Sequence, residues 1–148
     1  MQTFLPFPDF TRSAKSLDYR RLGKQRVEAL QLLRALEGAT KGWRNHPAAK
    51  MWEGHLRYLS VYGLVMCDEW ISRGYKDSIR EQFAMRLGWY AGTPPSWLGN
   101  DEFHRSHQSN LVRKLPAHYA PLFPGVPADL PYVWPSPQGE LMKNEALS

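Results

Sequence analysis

Apolar residues return along the first third of the chain with a helical rhythm. Leu22, Ala29, Leu30, Leu33 and Leu36 fall on one face of a helical wheel. The pattern predicts a helix from Ser13 or Ser16 to Glu37, stopped by Gly38. A second stripe (Trp52, Leu56, Leu59, Gly63, Met66, Trp70) advances in alternating steps of four and three. It predicts a central helix opened by His46-Pro47 and closed at Arg73 by Gly74. Gly63 within that stripe invites close approach by another helix.

Ser78-Ile-Arg-Glu81 has the spacing of a capping box, and opens a third helix carrying Ile79, Phe83 and Leu87. After the loop WYAGTPPSWLGN, Asn100 or Asp101 caps a fourth helix reaching about Lys114. Seven of the twelve prolines follow from Pro116 on, so an extended wrap is expected there, anchored by Tyr119, Phe123, Tyr132 and Trp134. The last ten or so residues lack such anchors and are expected to fray. At the other end, residues 1–12 read as an extended arm that packs Phe4, Leu5, Phe7 and Phe10. No strand pattern is apparent. The expectation is one all-α domain of about four helices, with an arm over 1–12, a helical core over 13–115 and an extended segment over 116–148.

Composition agrees with a globular chain: 43% of the 148 residues are hydrophobic and 22% charged. No apolar run approaches the roughly 18 residues of a membrane span, and no signal segment opens the chain. Cys67 is the single cysteine and cannot form an internal disulfide. A cytoplasmic protein, at the nucleoid in a bacterial host, fits these features. The net charge of +5 is unevenly spread. Residues 1–50 hold ten Lys/Arg against four acids, and the remainder nine against ten. Such a local excess suits a polyanion, or else forms a solvated face.

Arg20, Arg21, Lys24 and Arg26 carry much of that excess. Arg26 falls inside the apolar face, where an unpaired guanidinium is costly. It calls for an internal salt bridge, an escape toward the helix end, or a bound phosphate. Gly23, costly within a helix, marks a place where something approaches the backbone. In GWRNHP, Trp43, Arg44, Asn45 and His46 stand at a helix start, suited to capping and to a phosphate contact. HRSHQSN sets His104, His107 and Asn110 along a helix, with His107 and Asn110 toward its inward side. They form a buried polar network or a pocket reading a base or sugar; no third ligand has metal-site spacing.

The stretches MQTFLP…LDYRRLGKQRVEALQ, GWRNHPAAKMW and HRSHQSNLVRKLPAHY resemble the pyrimidine-dimer DNA glycosylase family, from residue 1 to about Trp134. The resemblance implies an all-α domain whose N-terminal segment threads between helices. It implies attack of an N-terminal α-amine on the sugar C1′, a Schiff base, and β-elimination that nicks the strand. A glutamate on the first long helix assists, and arginines hold phosphates while a nucleotide is flipped out. An α-amine, with a pKa near ~8, supplies neutral nucleophile at physiological pH.

Carried onto this chain, the family's Tyr-Arg-Glu reads Tyr19-Arg20-Arg21, so Glu28 becomes the acid/base. Gln2 disfavours removal of Met1, so the amine is that of Met1. Arg20, Arg21, Lys24, Arg26, Arg44, Asn45 and His46 fall to nucleic-acid binding, and His104, His107 and Asn110 to a pocket. The implied partner is damaged double-stranded DNA, bound by a monomer with no cofactor or metal. A DNA-binding protein of this fold without the chemistry, and an enzyme of this fold acting on another modified base or nucleotide, stay open.

Overall fold

The computed structural model describes residues 1–136 and 139–144. Its helices are α1 (Phe10–Ser16), α2 (Tyr19–Leu36), α3 (Pro47–Lys50), α4 (Leu56–Ser72), α5 (Arg80–Leu87), α6 (Asp101–Lys114) and α7 (Pro116–Tyr119). Strands β1 (Tyr132–Pro135) and β2 (Leu141–Asn144) form an antiparallel hairpin with Tyr132 opposite Asn144. The fold class is all-α, as the periodicity predicts, with this hairpin as an addition. Among the described residues, no helix is long and apolar enough to cross a membrane.

Four expectations need correction. The first helix is interrupted at Leu17-Asp18, because Asp18 adopts an extended conformation and caps α2 through its carboxylate. Tyr119 fixes that break, its hydroxyl donating to the Asp18 carboxylate and accepting the Asp18 N–H at 2.9 Å. The central helix is interrupted at residues 51–55, where Gly54 takes a left-handed φ of 79°. Asp77, not Ser78, serves the start of α5: its Oδ2 accepts from the backbone N–H of Ile79 and Arg80. The hairpin occupies part of the expected wrap and of the expected frayed end, while residues 145–148 lie outside the described residues. All four residues of β1 are buried, so its sequence carries no alternation to reveal it.

Other expectations hold. Asn100 caps α6 by accepting the Phe103 N–H at 3.0 Å. Tyr119, Phe123, Tyr132 and Trp134 all join the core. A Cβ on Gly63 would fall 2.1 Å from the Phe83 ring, so α4 and α5 meet at that glycine.

The arm determines where the chain starts. Residues 2–5 run buried and extended, with no strand beside them. Their backbone groups are answered by side chains from three helices, α2, α4 and α6. Phe4 N–H donates to Gln25 at 2.7 Å, and Leu5 N–H to His107 Nδ1 at 2.8 Å. The Leu5 carbonyl accepts from His104 at 2.7 Å, and that of Phe4 from the Tyr62 hydroxyl at 2.9 Å. Trp52 Nε1 donates to the buried Thr3 hydroxyl at 3.0 Å. The first residue is thereby delivered to the exposed side of α2.

Candidate active site

Met1 emerges beside α2, where Glu28 stands. The Gln2 N–H donates to Glu28 Oε2 at 3.1 Å, so the carboxylate lies one peptide unit from the α-amine. Two adjoining hollows share Met1, Tyr19, Arg20, Lys24 and Glu28. One, of about 840 Å³, extends toward Gln2, His46, Lys114, Tyr132 and Trp134. The other, of about 620 Å³, extends toward Val27, Gln31, Trp43 and Trp70. Amine, carboxylate and basic side chains therefore converge on one cleft.

Its cations differ in how free they are. Arg21 is paired with Asp18 at 3.2 Å. Burial raises the Asp18 pKa, but hydrogen bonds from Tyr119 and Arg21 outweigh it and leave the carboxyl below its usual range. Arg20 is solvent-exposed, its Nε donating to the neighbouring Tyr19 hydroxyl at 3.0 Å. Lys114, which sequence reasoning missed, reaches the cleft from the end of α6. Burial, then the charges of Arg21, Arg113 and Lys24, push its pKa down. A like-charged group of this kind calls for an anion.

Arg26 departs from the phosphate-binding expectation. Its guanidinium is bonded to the Asp77 carboxylate, itself 1% exposed, and lies 4.5 Å over the Trp70 ring. The internal salt bridge is thus the alternative the protein forms, although Arg26 still edges the cleft. Gly23 has a matching explanation: a Cβ there would stand 3.0 Å from Trp70, so the approaching group is an indole.

The GWRNHP loop is divided. Arg44 and Asn45 line a separate hollow of about 300 Å³ with Lys50, Glu53 and Tyr90, outside the cleft that holds Met1. Trp43, held at a φ of 66°, and His46 border the main cleft. His46 caps α3, its Nδ1 accepting the Ala48 N–H at 3.0 Å, which leaves the neutral ring's proton on Nε2. Burial, then the N-terminal charge, lowers its pKa, so the ring is neutral at physiological pH.

His104, His107 and Asn110 do not share a pocket: His104 borders a hollow of about 570 Å³ with Pro6, Asp101 and Gln108, away from Met1, while His107 and Asn110 are fully buried. His104 spans Leu5 and the Gly99 N–H, and His107 is fully buried against the arm. Asn110 ties the Ser106 and Leu130 carbonyls and accepts from Arg113. This is the buried-network alternative, and the reason is the arm: its backbone groups take up the imidazoles. Burial drives the His107 pKa down to about 3.

Besides Lys114, sequence reasoning missed Gln2, Tyr132 and Trp134 as cleft residues. The aromatic character of Tyr132 and Trp134 reads equally well as core, Gln2 carries no local signal, and only the tertiary path of both chain ends brings the three together.

A family model described as pyrimidine dimer DNA glycosylase matches residues 1–82, which covers the arm, α1 to α4 and the start of α5. No curated protein matches the chain. No solved structure matches it either. The cleft residues Lys114, Tyr132 and Trp134 lie beyond the matched segment.

Proposed function

The chain belongs to the pyrimidine dimer DNA glycosylase family, and on that premise we propose that it excises damaged pyrimidines from duplex DNA and cleaves the resulting abasic site. The neutral α-amine of Met1 attacks C1′ of the damaged nucleotide. The C1′–N bond breaks and the base leaves with its electron pair, taking a proton. The amine nitrogen loses a proton, and the C1′–O4′ bond then breaks with its electron pair going to O4′, which takes up a proton, leaving a protonated Schiff base at C1′. Loss of a C2′ proton then expels the 3′ phosphate by β-elimination, and water releases the amine.

Glu28 is the group for the proton steps and for stabilising the cationic sugar. Its hydrogen bond from the Gln2 N–H is the observation that carries this reading, because it puts a carboxylate beside the nucleophile. Arg20, Lys24 and Lys114 hold phosphates around the flipped nucleotide, with Arg21 and His46 bordering the same path. The protein acts as a monomer.

Borohydride reduction during incubation with an abasic-site duplex tests the reading. A covalent adduct mapped to the α-nitrogen of Met1 is the expected result. Binding to damaged duplex without an adduct makes the chain a DNA-binding protein without chemistry. An intact-mass measurement checks that Met1 is retained, the expected result.

A further inference from the structure

His46 shares the larger hollow with Met1 and Glu28, and its ring is held there in one orientation and one protonation state. Nδ1 accepts the Ala48 N–H at 3.0 Å, so the neutral ring carries its proton on Nε2. A protonated ring would turn a second N–H on that backbone N–H, which reinforces the neutral form. Trp43 and Trp134 meet the ring edge-on, with centroids at 5.6 and 5.7 Å. No described residue accepts the Nε2 proton, and Nε2 is not one of the buried atoms left unanswered. The half-buried ring therefore offers that proton to the hollow.

What stands in front of the proton follows from its neighbours. The N-terminal charge is the second cause, after burial, that lowers the His46 pKa, so amine and imidazole lie within electrostatic reach of each other. Glu28 is engaged on the amine side, by the Gln2 N–H. In a displacement at C1′ the base departs opposite the incoming amine. A group that helps it leave is then separate from the one beside the nucleophile. A neutral, fixed N–H suits that task, because it stabilises negative charge as it develops and needs no reorganisation to do so.

We infer that the Nε2–H of His46 donates to the O2 oxygen of the departing pyrimidine. As the C1′–N1 bond breaks, its electron pair passes to N1 and spreads onto O2, where the His46 N–H holds it until N1 takes a proton from water. His46 keeps its own proton throughout. O2 sits beside N1 in every pyrimidine and survives saturation of the C5–C6 bond in a dimer, so the contact asks nothing of ring planarity. The inference rests on the glycosylase reading above. It makes His46 a catalytic residue for loss of the base, distinct from the strand cleavage that follows.

His46→Asn separates the two duties of the ring. Asparagine is a strong N-cap whose Oδ1 takes over the Ala48 N–H, but it is too short to keep a donor at the Nε2 position. Single-turnover reactions are run on two duplexes, one with a thymine–thymine dimer and one with a preformed abasic site. Excision from the dimer duplex should fall by about 10²-fold, while cleavage at the abasic site falls far less and the urea midpoint stays near that of the wild type. His46→Gln, whose longer side chain returns an amide N–H toward the Nε2 position, is expected to regain part of the excision rate. An unchanged excision rate, an equal loss on both duplexes, or weaker binding with a lower salt slope (the mark of a phosphate contact) overturns the inference and leaves the glycosylase reading standing. A wild type inert on the dimer duplex overturns both.

Should His46→Asn fail to fold, the wild type labelled with ¹⁵N-histidine gives the answer through the His46 Nε2–H resonance. It is read with a duplex whose dimer nucleotide carries a 2′-fluorine, which slows loss of the base, and with a tetrahydrofuran abasic analogue, which has no base. A shift with the dimer alone supports donation to O2. No shift, or the same shift with both duplexes, overturns it.

Discussion

Glu28 accepts the backbone N–H of Gln2 across twenty-six positions of sequence, at 3.1 Å. The bond ties the acid/base candidate to the peptide that follows the proposed nucleophile. Glu28→Gln keeps the size and an acceptor for that N–H but removes the charge. Schiff-base trapping and strand cleavage should fall by about 10²- to 10⁴-fold, with affinity for an abasic-analogue duplex changed only a few-fold. Single-turnover cleavage beside a binding titration separates the two effects, and an equal loss in both refutes the assignment.

Arginines six positions apart on α2 should behave differently. Arg20→Ala is expected to weaken DNA binding and lower the slope of log affinity against log salt by about one. Arg26→Ala should leave that slope alone and destabilise the fold instead, by about 3–5 kcal/mol, because it strands the buried Asp77 carboxylate. Urea titrations and salt-dependent binding on both variants check the contrast.

His107 makes stability depend on pH. Folded, its pKa is depressed to about 3 by burial; unfolded, it returns to the ordinary value of 6.5. Between those values the unfolded chain binds the extra proton. The stabilising contribution is therefore complete above pH 6.5 and is lost as pH falls toward 3, at up to about 1.4 kcal/mol per pH unit. His104, also lowered by burial, adds in the same direction. Urea midpoints from pH 7.5 to 4 should fall accordingly, and more shallowly in His107→Asn.

Gly63→Ala should cost about 1–3 kcal/mol, because the new methyl meets the Phe83 ring. Adding Phe83→Leu is expected to recover part of the loss. A double-mutant cycle measures the coupling, and strictly additive effects contradict the close approach.

The sequence reveals helices wherever one face repeats. Leu22 to Leu36 and Leu59 to Met66 show this, and Asn100 marks a start that the structure keeps. Breaks were hidden when their cause lay far along the chain. Nothing near Asp18 announces that Tyr119 will pin it, so α1 and α2 read as one helix. The site divides in the same way. Arg20, Lys24 and Glu28 share a helix with a visible charge excess, and they were legible. Lys114, Tyr132 and Trp134 reach the cleft only through tertiary packing, with no local signature to betray them. Arg26 was legible as an anomaly, but its partner Asp77 stands fifty-one positions away.

Met1 and Trp134 border the same hollow. A polypeptide emerging from the ribosome therefore displays its amine long before the wall opposite it exists. A nascent chain short of residue 134 lacks one wall of that hollow, which only the closing stretch of synthesis can supply.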